Sequence, residues 1–306
     1  MVLFSLIKRN IKLFFKDKGL VISSLITPMI LILLYVTFLR NVYVDSFHSS
    51  LPSGLTLDES YINGFVYGWL FSSLLATSCV TVSFCSNLLM VQDKVTGSIH
   101  DLQIAPVKST TIAISYYIAS MLVTLIICYL EMIVGFIIMA STGWFLSVGD
   151  VFGIILGVFL LVNFGTALSS IIHHFLSTQG QMSAVGTLVS SIYGFICGAY
   201  MPISQFGKAL QIILGFLPGT YGTALLRHHF ENGVLTKLQV EQNFPKEVVD
   251  GISENFDISL KFFDKNVNAV ADYIIMIASV VVLIGIYVLI NMRNNKLLKE
   301  KNRGKK

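Results

Sequence analysis

Residues 62–90, INGFVYGWLFSSLLATSCVTVSFCSNLLM, run on without one Asp, Glu, Lys or Arg. A helix crossing the hydrocarbon core of a bilayer needs about 20 predominantly apolar residues, so this stretch predicts a membrane-spanning helix with length to spare for tilt. Five more runs read the same way, at 20–39, 111–140, 151–172, 182–201 and 271–291. The first, Leu20 to Leu39, is too long for the apolar core of a cleaved signal peptide, and no small-residue cleavage site follows it. Composition agrees: 54% of the 306 residues are hydrophobic and 12% charged, with mean hydropathy +0.75. A soluble domain usually carries about 25% charged residues, so lipid rather than water covers much of this surface. The expected fold class is an all-α membrane protein with six transmembrane helices.

Charge placement orients the spans. Lys8, Arg9, Lys12, Lys16 and Lys18 precede the first; Arg293, Lys296, Lys299, Lys301, Arg303, Lys305 and Lys306 follow the last; Lys94 and Lys108 lie in the loop after the second. An even number of spans puts these three segments on one side, and the excess of Lys and Arg marks that side as cytoplasmic. The other side collects acids, among them Asp45, Asp58, Glu59, Asp150, Glu231, Glu241, Glu247, Asp250, Glu254, Asp257 and Asp264. The expectation is a multi-pass protein of the cell (plasma) membrane with both termini cytoplasmic. Topology explains the basic tails, so no nucleic-acid partner is expected.

Several segments are not simple spans. Within residues 1–18, Leu3, Phe4, Ile7, Ile11, Phe14 and Phe15 recur at helical spacing with cations between them. This predicts an amphipathic helix lying in the inner interface, in contact with membrane lipid, either as a plain flank or as a helix that also touches a cytoplasmic partner. Residues 202–230, PISQFGKALQIILGFLPGTYGTALLRHHF, are apolar but interrupted. The part before Pro218 and Gly219 makes only about 22 Å of helix, short of a core about 30 Å thick. Pro202, the turn at Pro218-Gly219 and a second short helix to Arg227 therefore predict a re-entrant hairpin, with surface helices packed on the bundle as the alternative. Residues 231–268 are polar and predict a small extracellular cap, and 293–306 a basic cytoplasmic tail. The transmembrane domain as a whole covers 19–292.

Few residues suggest chemistry. Cys79, Cys85, Cys128 and Cys197 all sit in apolar runs and read as core residues, not as disulfides or metal ligands. His173/His174 and His228/His229 fall on opposite sides of the membrane, so no metal site is expected from them. Small residues four apart at Gly64/Gly68, Gly153/Gly157 and Gly194/Gly198 predict close helix contacts, within one bundle or between subunits. Glu131 is the one carboxylate deep in a predicted span. It reads as an interhelical hydrogen-bonding group or as part of a transport path. No P-loop, C-x-x-C, H-E-x-x-H or nucleophile-elbow pattern is present, and no catalytic residue or bound cofactor is expected in this chain.

The loop at 91–110, VQDKVTGSIHDLQIAPVKST, resembles the signature of type-2 ABC export permeases, in which an acid, then Gly with a hydroxyl residue, then Leu and Pro follow the second span. Here those positions are Asp93, Gly97, Ser98, Leu102 and Pro106; Asp replaces the usual Glu, and Ser the usual Thr. The order of amphipathic helix, spans and hairpin with Leu217-Pro218-Gly219 and Arg227 is similar to the family's as well. The resemblance implies a permease that pairs with a second permease copy, identical or different, and with two copies of a separate ATPase subunit that carries ATP and Mg. It implies that loop 91–109 forms a coupling helix, with Asp101 beside the motif residues at the docking face. Drugs, antibiotics, lipids or toxins would be the exported cargo, and low charge in the spans favours a hydrophobic or amphipathic one. A secondary transporter or channel using Glu131 is the competing reading.

Overall fold

The computed structural model describes residues 2–51, 57–105, 107–263 and 265–303. Pro106, expected in the coupling loop, lies outside the described residues, as does Asp264 of the cap. Amphipathic α1 (Val2–Lys16) buries Asn10 and Phe14 and leaves Val2, Phe4 and Phe15 exposed. Asp17 breaks the chain there: its Oδ1 accepts from the backbone N–H groups of Gly19 and Leu20 and so caps α2 (Lys18–Leu34). The rod continues through one π-helical stretch, Tyr35–Leu39, into α3 (Arg40–Ser49), ten residues beyond the predicted end of the first span. Aromatic packing holds this extension, with Tyr43 on Trp69 and Phe47 on Phe65 at centroid distances of 4.1 and 4.5 Å.

The centre of the bundle is α4 (Glu59–Val95), buried over nearly its whole length. A short α5 (Ser98–Ile104) follows, then α6 (Ser109–Thr142), α7 (Val148–Phe175), α8 (Gln179–Ile196) and, last in the chain, α12 (Ala269–Arg303). Ser147 with Asp150, and Thr178 with Gln181, close capping boxes at the starts of α7 and α8. Among the described residues, five helices are long and apolar enough to span a bilayer: Lys18–Ser49, Glu59–Val95, Ser109–Thr142, Val148–Phe175 and Ala269–Arg293. The predicted span at 182–201 is α8, whose first turn is diluted by Gln179 and Gln181 and which ends at Ile196. It still crosses. Leu176 just before it is held by Lys94 of α4, and Gly198 just after it meets Arg227 beside Ser73 of α4. Those two levels lie about 31 Å apart along α4.

The interrupted segment enters and leaves at one end of the bundle. A 3₁₀ turn, Ile203–Gln205, leads to α9 (Lys208–Gly215), and α10 (Pro218–Val240) returns at 92° to it, with Pro218 in the first turn where its missing N–H costs nothing. The outer ends are tied near the acids: the Ser204 N–H donates to Asp257, and the Tyr61 hydroxyl donates to Glu241 at 2.6 Å. The tip, Leu217 to Gly219, is pushed in against Tyr193. The two limbs make a helical hairpin of the kind that a re-entrant loop or a broken span gives, and the second limb is much longer than expected, because Phe230, Val234, Leu235 and Leu238 keep a buried face running past Arg227. Residues 231–240, assigned to the cap by their polarity, belong to α10. The cap proper holds α11 (Lys246–Asn255) and a two-residue ladder of β1 (Lys261–Phe262) with β2 (Lys265–Asn266).

The three glycine pairs all face other parts of this chain. A Cβ at Gly64 or Gly68 would collide with Phe145 or Glu231, at Gly153 or Gly157 with His229 or Leu226, and at Gly194 with Tyr200. The four cysteines are free and buried, and the two His pairs lie at opposite ends, His173 by Lys94 and His229 by Asp150.

Candidate functional site

The segment expected to couple to an ATPase holds a short helix, α5, at the Lys-rich end. Gly97 ends α4 with φ +81°, a left-handed conformation that glycine adopts without steric cost. Seven residues of helix follow, and α5 has two sides. Leu102 turns inward and packs, with Leu88 and Val107, on a cluster of Phe14, Leu89, Met90, Ile112 and Tyr116. His100 and Asp101 face outward, and Ile104 is 83% exposed. Ser98 is half-buried, its hydroxyl 3.0 Å from that of Thr96.

Asp93 does not share the outward face. It is buried, and its Oδ2 accepts from Arg9 of α1 at 2.7 Å and from the Tyr116 hydroxyl of α6 at 2.5 Å. Its neighbours are committed too. Gln92 donates to Asp17 Oδ2 at 3.1 Å, which together with the two capping N–H groups holds the Asp17 carboxyl below its ordinary pKa. Lys94 Nζ donates to the carbonyls of His173, His174 and Leu176 at 2.7–3.0 Å, filling acceptors that the C-terminus of α7 cannot satisfy itself. Successive helical residues point about 100° apart, so these three reach three directions: the α1–α2 junction, α1 with α6, and α7. The last turn of α4 is thus a collar, and α5 hangs directly from it. Asn10 adds a bond to Ser115 of α6 at 3.3 Å. Sequence reading missed Arg9, Gln92, Lys94 and Tyr116. The available signal was three consecutive polar residues closing an otherwise apolar helix, which spacing alone does not pair with anything.

The hairpin residues gather elsewhere, at the acid-rich end. Arg227 is 1% exposed; its guanidinium lies 4.5 Å above the Trp69 ring, 3.6 Å from Asp257 and 3.1 Å from the Ser73 hydroxyl, and it donates to the Gly198 carbonyl. Burial pushes the Asp257 carboxyl upward, against the pull of Arg227 and of the N–H groups of Ile203 and Ser204. Pro202 leads into the turn that presents those N–H groups, while Pro218 and Gly219 form the tip. Glu131 joins neither site. Both its carboxyl oxygens are buried without a hydrogen-bond partner at acceptable geometry, and Ser78 of α4 is the side chain that interacts with it.

A family model described as ABC-2 type transporter matches residues 1–230, which takes in the collar, α5, both limbs at the hairpin tip and Arg227. No curated protein and no solved structure matches the chain.

The collar makes a testable demand on α1. Asp93→Ala leaves the buried Tyr116 hydroxyl without its acceptor, a loss of about 1–3 kcal/mol, and removes the anchor of Arg9. Trypsin cleavage at Lys16 or Lys18 in detergent-solubilised protein should speed up several-fold, while exposed Asp101→Ala leaves it unchanged. An unaltered rate for Asp93→Ala would show that α1 is held by its apolar face alone.

Proposed function

The chain belongs to the ABC-2 type transporter family and is a membrane permease component; from that premise we propose that it serves an ATP-driven exporter. In this reading two copies of a separate ATPase subunit bind ATP and Mg and dock on α5, and nothing in this chain is catalytic. The observation that carries it is the arrangement of α5, with Asp101 and Ile104 presented outward and Leu102 seated on the collar. A push on α5 is passed through Gln92, Asp93 and Lys94 to α1, α2, α6 and α7 as a rigid-body shift. Asp93 belongs to the transmitting part; Gly97, Ser98, Asp101 and Leu102 belong to the docking turn, to which the motif also assigns Pro106.

A second permease copy, identical or different, fits the faces of α2 and α8. There Thr27, Ser183, Thr187 and Ser191 stand at or near the surface among apolar residues, alongside Gly180 and Gly186 with open space over them. Small and hydroxyl-bearing residues suit helix–helix contact or a wetted path better than lipid. The cargo in this reading is hydrophobic or amphipathic (a drug, antibiotic, lipid or toxin), since few charges line the spans. The membrane is the plasma membrane, with the Lys-rich end cytoplasmic and the acidic cap outside. In a cysteine-free background, a cysteine at Asn243 should react with an impermeant maleimide on intact cells, and one at Ser98 only after permeabilisation. Labelling of Ser98 from outside would reverse the orientation and remove α5 from the ATPase side.

Docking itself is tested at α5. Asp101→Lys sets like charge against the basic groups expected on the ATPase, a mismatch that costs several kcal/mol at an interface, and should abolish ATPase co-purification. Gly97→Val meets open space but forces a β-branched residue to positive φ. It should keep ATPase association and lower export several-fold. Full association and full export by Asp101→Lys would refute the docking role.

Glu131 supports a second reading, in which a carboxyl within the bundle changes protonation during transport. Glu131→Gln then assembles normally and exports poorly. Normal export by that variant leaves Glu131 a structural group.

A further inference from the structure

On the side of α8 away from the α2 groove lies a cavity of about 540 Å³, walled by α4, α7, α8, the hairpin tip and α12. Phe84, Phe164, Leu168, Val189 and Ile196 form much of its lining. The hydroxyls it reaches give water at most one free partner: Ser279 donates to the Ile275 carbonyl at 2.7 Å, and the Tyr193 hydroxyl, though without a hydrogen-bond partner, is buried against Gly219. A stable water needs two to four polar partners, so water has no footing here. A void this size is also several times the volume of about 150 Å³ that stays dry when empty and then takes up benzene or xenon.

We propose that this cavity holds one acyl chain of a bilayer phospholipid, drawn from the leaflet at the Lys-rich end, with its methyl terminus stopped by Leu217-Pro218-Gly219. Depth fits this occupant. Ile172, at the lower wall, adjoins His173 of the collar, and Tyr193 with Gly219 closes the upper wall. From Ile172 to Phe164 is about 12 Å of helix, against about 15 Å for half of the hydrocarbon core. The mouth fits as well. Leu188, Ile192 and Val282 are cavity residues that remain 46–59% exposed on the outer surface of the bundle, open to lipid from the side. Ser191 and Phe195, one helical face round, line the separate α2 groove, so a second permease seated there leaves this mouth free. The chain in the cavity would prop the hairpin tip, and its length would set how far the tip can descend.

The test uses full-length protein in phosphatidylcholine vesicles containing a phosphatidylcholine with a diazirine near the end of one acyl chain. After illumination, peptides of α8 and α12 that line the cavity should carry label several-fold above the lipid-facing surface of α6 at Ile133 and Ile137. Val282→Trp at the mouth, or Leu188→Trp on the opposite wall should the first fold poorly, should bring that label down to the α6 level. Chains shorter by about six carbons should leave Gly219 and its neighbours unlabelled. Equal labelling of cavity and α6 surface in the unaltered protein, or a disulfide formed between two copies bearing cysteines at Leu188 and Val282, overturns the proposal.

Discussion

Everything in this bundle depends on α4 being shielded from lipid. The helix carries Ser72, Ser73, Thr77, Ser78, Thr81, Ser83, Ser86 and Asn87, all buried, and hydrocarbon offers such groups no hydrogen bonds. Some bond back to their own helix, as Thr77 does to the Ser73 carbonyl at 3.0 Å and Ser83 to that of Cys79 at 2.7 Å. Others reach across. Asn87 donates to Ser169 and Ser170 of α7 at 2.6 and 2.8 Å and accepts from Ser120 of α6 at 3.0 Å; Ser83 pairs with Thr166, and Ser86 with Thr124, each at 3.2 Å. These bonds specify which faces of α6 and α7 meet α4. Glycines then set how closely: a Cβ on Gly165 would come within 2.9 Å of the Cys79 carbonyl.

The five helices long and apolar enough to span a bilayer were legible because length and hydropathy are properties of a segment by itself. The stretch at 62–90 reads as a span whatever surrounds it, and so does 271–291. Where elements end depends on partners, and there the reading slipped. Residues 40–49 look polar enough to be a loop, yet Tyr43 and Phe47 carry the helix on against Trp69 and Phe65. Residues 231–240 look like a water-facing cap, yet they extend α10 along α4. The site divides in the same way. Gly97 was readable from its place before a short helix, and its positive φ follows from local geometry. Asp93, placed by motif on the docking face, is turned inward by Arg9, 84 positions away in the sequence. No local pattern contains that partner.

The collar and the Arg227 cluster sit well apart on one long helix. α4 is 37 residues long, about 55 Å of helix, with the collar at its last turn and Trp69 about three turns in from its start. Trp69 supports Arg227 through its ring face and fixes the cap by donating from Nε1 to the Phe256 carbonyl at 3.0 Å. A displacement of α4 along its axis therefore acts at once on α1 and α7 at one end and on the hairpin at the other. No chain of small side-chain adjustments is needed between them.

Why the hairpin is latched by a buried ion pair follows from the same geometry. Residues 197–207 leave α-helical conformation, and the buried main-chain groups among them, at Gly198 and Ile203, need partners that no helix supplies. Arg227 supplies a donor to the Gly198 carbonyl, and Asp257 supplies acceptors to the Ile203 and Ser204 N–H groups. Each ion thus serves the irregular backbone as well as its partner. Taking two charges out of water costs several kcal/mol apiece, and mutual attraction alone often fails to recover it. Here the remaining donors and acceptors are spent on main-chain atoms that would otherwise be stranded, and the Trp69 face takes up part of the cationic charge. An apolar pair of equal volume could fill the same space but could not close the ends of two broken helices. The ion pair is where it is because the hairpin turns there, and the hairpin can turn there because the ion pair completes its hydrogen bonds.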